Sequence, residues 1–410
     1  MGNSKTMSVA SLYIHVPFCA QKCAYCAFYS EPSSGEWVNR YITVLIRELE
    51  IVADDLNPKT IFFGGGTPSI LNLRQWGKIL QAMERLNLLG AEEFTVECNP
   101  ATISPDKARL LRSFGVNRIS MGVQSLDEKL LERLGRIHTR EMVFKSFDTL
   151  RRAGFDNLNL DLMFAIPSQT LEIWRRTLAE AIVLGSEHLS SYEVIYEDDT
   201  RLFEQLHAGK FAVNEELACA MYDEFIGQAV AAGFQQYEVA NFARSISTVP
   251  KVQSTRSKVS NAITTSDIGH GTLDIPIYAC KHNVNYWRGG SFYGLGPSAT
   301  SYVRGVRTKN WSNTRLYCEQ LENGKRAIES SEELSPLKRA GETAAFGLRM
   351  VVGWPFDQFQ RVTGFDLRDE WSVEMDQVVE RGWGRRDPQR FQLTQQGLRF
   401  ADAAAELFLR

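Results

Sequence analysis

Apolar residues along the chain fall into two alternating patterns. Short runs at 11–16, 60–63, 93–97, 118–121, 157–162 and 188–194 are rich in Val, Ile, Leu and Phe and read as buried strands. Between them, residues 37–53, 73–86, 104–114, 140–154 and 171–185 place apolar side chains at three- and four-residue intervals, the period of an amphipathic helix. Two of these helical segments close on Gly154 and Gly185 as stops. Six strands alternating with helices, without paired hairpins, predict a parallel βα repeat, either an incomplete βα barrel or a doubly wound sheet. In both, chemistry collects at the carboxyl ends of the strands, where this chain also concentrates its glycines and polar residues.

The pattern breaks near residue 244, where RSISTVPKVQSTRSKVSNAITTSD carries few large apolar side chains and reads as a surface loop. The expected organisation is therefore a tail at 1–10, a core barrel at 11–243, a Ser/Thr-rich insertion at 244–275, an aromatic and glycine-rich linker at 276–334, and a small domain at 335–410. That last segment is mainly helical with a hairpin-like stretch near 386–393, a winged-helix-like pattern.

Length and charge narrow the function classes. At 410 residues with 44% apolar and 23% charged content, the chain is of ordinary globular composition and long enough for two domains. A net charge of −3 provides no global field for nucleic acid. No apolar run approaches the ~18 residues of a membrane span, and the first residues lack the apolar stretch of a signal peptide. The expectation is a cytoplasmic protein without stable membrane insertion. The opening MGNSKT matches a myristoylation pattern, but one acyl chain gives only marginal membrane binding.

Three of the seven cysteines cluster, as Cys19, Cys23 and Cys26 in CAQKCAYC directly after the first strand. In a reducing compartment such clustering points to metal or catalysis. A [4Fe–4S] cube normally takes a thiolate on each iron, so three cysteines leave one iron open to a further ligand. The alternative is a structural zinc site, which wants four protein ligands, and no second cysteine pair follows at a suitable distance. Cys98, Cys219, Cys280 and Cys318 read as small hydrophobes.

Other candidates stand at strand ends. Gly64-Gly-Gly-Thr-Pro-Ser69 follows the second strand, where glycines let backbone approach a ligand and expose N–H groups to a carboxylate; a tight strand-to-helix turn is the competing reading. Glu97 ends the third strand, placed to accept hydrogen bonds from a ribose. Gln124 and Asp161 end the fourth and fifth, and Arg136 follows in LGRIHT.

The spacing C-x3-C-x2-C, with an aromatic before the third cysteine, resembles the radical S-adenosylmethionine (SAM) superfamily. That resemblance implies a partial (βα)6 barrel and a [4Fe–4S] cluster on Cys19, Cys23 and Cys26 whose open iron is chelated by SAM, which the cluster cleaves to a 5′-deoxyadenosyl radical. Tyr25 would lie against the adenine, and Gly65, Gly66 and Thr67 would hold the methionyl part. YIHVPFC, GGGTPS, VECNP, SMGVQS, LGRIHT and DLMFAIPSQT occur together in the order of a narrower group, the coproporphyrinogen-type radical SAM proteins. By that likeness Tyr13, Glu97, Gln124, Arg136 and Asp161 join the SAM site.

The group contains an enzyme, the oxygen-independent coproporphyrinogen III oxidase, and a heme chaperone branch. The oxidase pattern continues to a fourth cysteine where this chain has Phe28, and it carries a longer N-terminal arm. His282-Asn-Val-Asn-Tyr-Trp287 is similar to the HNxxYW element associated with heme in the chaperones, with His282 as the candidate axial ligand and Tyr286 and Trp287 as apolar surface. A packed core histidine is the competing reading. The reading is thus a heme chaperone holding heme, SAM and a [4Fe–4S] cluster. Its partners would be heme-acceptor proteins and a reducing donor such as a flavodoxin or ferredoxin, with a homodimer left open. Oxidative decarboxylation of porphyrinogen propionates is the runner-up, and a zinc-stabilised interaction module the third.

Overall fold

The run VASLYIHV forms β1 (Val9–Val16), and it pairs in parallel on both sides. One neighbour is β2 (Leu56–Gly65); the sheet continues through β3 (Glu93–Cys98), β4 (Arg118–Gln124), β5 (Leu158–Phe164) and β6 (His188–Glu193), all parallel. The other is a late arrival, β7 (Tyr293–Leu295). The structure, a computed structural model, describes residues 8–32, 34–245 and 275–410. The Ser/Thr-rich insertion expected at 244–275 lies almost wholly outside the described residues, as does most of the expected tail. Among the described residues the sheet does not close on itself, which makes it the partial barrel that the βα repeat predicted.

Helices cover the outer face: α1 (Gly35–Val52), α2 (Leu73–Arg85), α3 (Pro105–Ser113), α4 (Glu128–Arg133), α5 (Arg140–Arg152) and α6 (Leu171–Val183). Their starts are set by side-chain caps, including a reciprocal capping box between Asn72 and Gln75 on α2 and single caps from Ser104, Asp127, Thr139 and Thr170. Alternate strand residues meet this layer. Phe63, for example, packs against Trp76 of α2 at 5.1 Å and against Phe94 of β3 at 5.8 Å. Burying each such side chain stabilises by about 1.5–3 kcal/mol.

The opposite face of each strand points into the barrel and is polar. Ser11 and Thr60 share a hydrogen bond at 2.7 Å. Asn159 donates to Ser120 and Asp161, both at 2.8 Å, and its carbonyl oxygen lies 2.6 Å from His188 Nδ1. Buried Arg118 is among them. A polar interior is stable here because its groups satisfy one another.

Among the described residues the chain divides into two compact units. The first carries the sheet through Ala232 and takes in Cys280–His282 and Ser291–Glu333. In it, buried Glu48 of α1 accepts from Tyr317 (2.6 Å), Asn310 (2.7 Å) and the Gly296 amide (2.8 Å), fastening residues 291–333 to α1. The second holds the C-terminal helices and a three-stranded antiparallel sheet, Trp354–Pro355, Arg390–Leu393 and Gly384–Arg386. Its core is built on Trp354, Phe359, Trp371, Phe391 and Phe408.

Candidate cluster and cofactor site

The loop after β1 carries Cys19, Cys23 and Cys26, all partly exposed and none in a disulfide. Its conformation is held from behind. The Ala24 amide donates to Leu134 O and the Ala24 carbonyl accepts from the Leu202 amide, both at 2.9 Å, while the Ala24 methyl is buried with Leu130, Leu134 and Leu202. Anchoring the middle of the loop leaves the cysteines to either side facing the barrel mouth. Cys19 Sγ lies 3.5 Å from Thr67 Oγ1, and Cys23 Sγ accepts from Arg136 Nη1 at 3.4 Å.

The glycine run at the end of β2 packs directly beneath. Gly66 N–H donates to Val16 O and Thr67 N–H to Phe18 O, each at 2.8 Å, and the Gly65 amide donates to the Glu97 carboxylate. A Cβ on Gly66 would lie 2.7 Å from Phe18 O and 2.9 Å from Val16 O, so only glycine allows the two segments to approach. The Gly66 and Thr67 amides thus tie the cysteine loop to β2, and the Gly65 amide is taken by Glu97. What the run offers a ligand is the Thr67 hydroxyl and the open Cα faces.

Two carboxyls stand further in. Burial and the neighbouring charge of Asp161 push the Glu97 carboxyl up to about 8, against the opposing effect of the Gly65 amide and Arg118. Burial also raises Asp161, which accepts from Ser120 and Asn159 at 2.8 Å. Gln124 ends β4 with φ +65°, a left-handed conformation for a residue with a side chain, just past a register shift in the pairing of β4 with β5. A Cβ on neighbouring Gly122 would come within 3.0 Å of Gln124 Nε2 and 3.3 Å of Arg136 Nη2. Glycine at 122 therefore makes room for both. Arg136 donates to Gly122 O at 2.6 Å and to Tyr25, and its buried Nε has no partner among the described residues.

These side chains surround one cavity of about 550 Å³. All twelve residues named from the sequence for the cluster and SAM line it: Tyr13, Cys19, Cys23, Tyr25, Cys26, Gly65, Gly66, Thr67, Glu97, Gln124, Arg136 and Asp161.

The radical SAM superfamily model matches residues 13–181. The heme chaperone HemW of Lactococcus lactis subsp. lactis is 30% identical over 401 residues, spanning 97% of this chain and 97% of that protein. That of Escherichia coli is 31% identical, spanning 97% and 98%. The chain belongs to the HemW family of radical SAM proteins. Among solved structures, the coproporphyrinogen III oxidase HemN of Escherichia coli matches with a TM-score of 0.78 over 99% of this chain and 91% of that one, at 19% identity, which shows a shared fold.

Radical SAM membership implies SAM and a [4Fe–4S] cluster, and the cavity's chemistry fits both. Three free thiols at the mouth match a three-thiolate cluster loop. The orphaned Arg136 Nε, buried beside Cys23, is a donor awaiting an acceptor such as a carboxylate.

The remaining candidate lies elsewhere in this HemW-family chain. His282 lies in the first turn of the helix Lys281–Trp287 and is 1% exposed, against the middle of β2 in the barrel interior. Its Nδ1 is 2.9 Å from Thr60 Oγ1, its ring stacks on Phe62 at 5.1 Å, and its amide donates to Glu93 Oε1 at 3.0 Å. Burial, with Arg118 nearby, pushes the imidazole down to about 3, so the ring is neutral. In this arrangement it is enclosed by protein and outside the cavity; heme could reach it only by displacing the Thr60 bond and the Phe62 stack. Cys280 is a buried cysteine, as expected, its thiol 3.4 Å from Glu93 Oε1. Trp287 packs under the Arg349 guanidinium at 5.1 Å.

Sequence reading missed Ser120, Gly122 and Met163, which also line the cavity, and Arg118 beneath it. The strand-end rule would have found Gly122 and Met163, each two residues from a residue already chosen, whereas Ser120 lies four residues before Gln124 on β4.

Proposed function

We propose that this chain is a heme chaperone that binds heme and a SAM-ligated [4Fe–4S] cluster and passes heme to acceptor proteins. The observation that carries the reading is full-length similarity to HemW chaperones in a chain whose cysteine loop ends in Phe28 rather than in the fourth cysteine of the oxidase pattern. Cys19, Cys23 and Cys26 would hold the cluster, which when bound supplies an electron to SAM. Arg136 and Gln124 offer donors for the methionyl carboxylate, Glu97 an acceptor for the ribose, Tyr25 a surface for the adenine, and Tyr13, Gly65, Gly66, Thr67 and Asp161 the surrounding wall. A reducing protein of the flavodoxin or ferredoxin kind would feed the cluster. Among the described residues no helix is long and apolar enough to cross a membrane.

The runner-up is coproporphyrinogen III oxidation, the activity named for HemN, whose fold this chain shares. One experiment separates them. Protein reconstituted anaerobically with iron, sulfide and SAM is assayed for stoichiometric heme binding and for conversion of coproporphyrinogen III. Heme retained and passed on without conversion is the expected result; conversion would make the chain an oxidase.

A further inference from the structure

The mouth of the cavity is ringed by large apolar side chains left in solvent. Phe28 is 71% exposed, Ile195 66%, Tyr192 42% and Ile137 40%, and all four line the cavity that holds the cysteine loop. They arrive from three separate connections: Phe28 just past Cys26, Ile137 just past Arg136, and Tyr192 and Ile195 from the end of β6 and the turn after it. Single exposed hydrophobics are ordinary on a protein surface. Four converging on one concave opening mark a ligand surface.

The occupant can be read from what lies above and below the ring. Beneath it the wall is polar, lined by Glu97, Asp161, Gln124 and Arg136, with the Gly65 amide on Glu97, Ser120 on Asp161 and Gly122 O on Arg136. A large apolar body would therefore cover the mouth rather than enter it. Exposed Lys22 on the cysteine loop adds a cation on one side of the same lining, while Glu193 and Glu197 stand on the side of Tyr192 and Ile195. An apolar plate bearing carboxylates meets both conditions, since its face covers the ring while an acid edge reaches the lysine.

We propose that heme lies across this mouth, face against Phe28, Ile137, Tyr192 and Ile195, with a propionate toward Lys22. The proposal rests on the chaperone reading and places heme beyond the carboxyl end of β2, away from His282, whose partner Thr60 is five residues before Gly65 at mid-strand. Phe28 then has a role of its own, as part of the platform.

The test uses the full chain carrying its cluster and SAM. Hemin is titrated into wild type, a Phe28→Asp/Ile195→Asp double variant, Ile137→Asp and His282→Ala, following the Soret band, with iron content and SAM affinity measured on the same samples. The expected result is heme affinity at least tenfold weaker in the double variant and weaker in Ile137→Asp, with cluster content and SAM affinity unchanged, and wild-type heme affinity in folded His282→Ala. A Phe28→Leu/Ile195→Leu variant should restore binding. Unchanged heme affinity in both acidic variants, or loss of heme in His282→Ala alone, overturns the placement and leaves the chaperone reading standing. Wild type that binds no heme overturns both.

Discussion

His282 Nδ1 lies 2.9 Å from the Thr60 hydroxyl, which is itself 2.7 Å from that of Ser11, so a residue from the distant HNVNYW segment completes a hydrogen-bonded chain across β1 and β2. The ring fills the interior there and lies against Phe62 and Tyr13.

Truncation to alanine should therefore act on stability first. His282→Ala removes a buried, stacked ring and leaves Thr60 short of a partner, an expected loss of about 2–4 kcal/mol, read as a lower urea midpoint. Because the folded imidazole is pushed down to about 3 from 6.5, its contribution is present above 6.5 and is lost as pH falls toward 3. Burial pushes His15, His138 and His188 the same way. Acid titration of the unfolding midpoint should show a shallower decline in His282→Gln than in wild type.

Gly66→Ala should disorder the cysteine loop. Its Cβ would meet Phe18 O and Val16 O at 2.7 and 2.9 Å, and backbone cannot yield as a side-chain tip can. Overpacking of this kind costs about 1–3 kcal/mol. The larger effect is expected at Cys19, whose loop would be displaced from Thr67. Iron and sulfide content after reconstitution should fall well below one cluster per chain, whereas Gly35→Ala, where nothing lies within 4 Å, should load normally.

Glu97 makes a pH prediction of opposite sign to the histidines. Its carboxyl is raised from 4.5 to about 8, so the protonated form stabilises the fold; that contribution is present below 4.5 and lost as pH rises through about 8. Without SAM, the unfolding midpoint of wild type relative to Glu97→Gln should decline over this interval. A ribose hydroxyl donates to the ionised form, so SAM affinity should strengthen as pH rises through about 8. In Glu97→Gln it should be weaker and flat with pH.

Gln124 holds φ at +65°, a conformation that costs a residue with a side chain about 1 kcal/mol or more. Gln124→Gly should raise the melting temperature slightly while weakening SAM binding, measured by equilibrium dialysis. A variant that gains no stability would show that the surrounding bulge, not this residue, carries the strain.

The parallel sheet was legible because its strands present apolar residues to the helices, and that half of each strand is what a hydrophobic pattern reports. The other half misleads. In Asn157-Leu-Asn-Leu-Asp161 the polar positions resemble a solvent face, yet Asn159 and Asp161 point into the barrel. Arg118 and His188 were overlooked for the same reason: side chains that satisfy one another inside a barrel look, one strand at a time, like a surface. The start of β2 was missed because Asn57-Pro58 reads as a turn. The ladder skips from Val9 opposite Leu56 to Ser11 opposite Thr60, an irregularity that leaves Pro58 without a ladder bond to make. Strand β7 is three residues between glycine-rich turns, too short for any period to show. The cavity residues were found through motifs, whereas the depth at which His282 sits is something a motif does not give.

The cavity reaches inward only as far as Tyr13, Ser120 and Asp161, and His282 fills the barrel beyond them. A chamber entered from one end is a stack, in which the first occupant to arrive is the last to leave. With heme lying over the mouth, SAM must be loaded beforehand and cannot be exchanged until the heme has gone. Handing heme to an acceptor would then be the event that resets the SAM beneath it, making each delivery a clocked cycle.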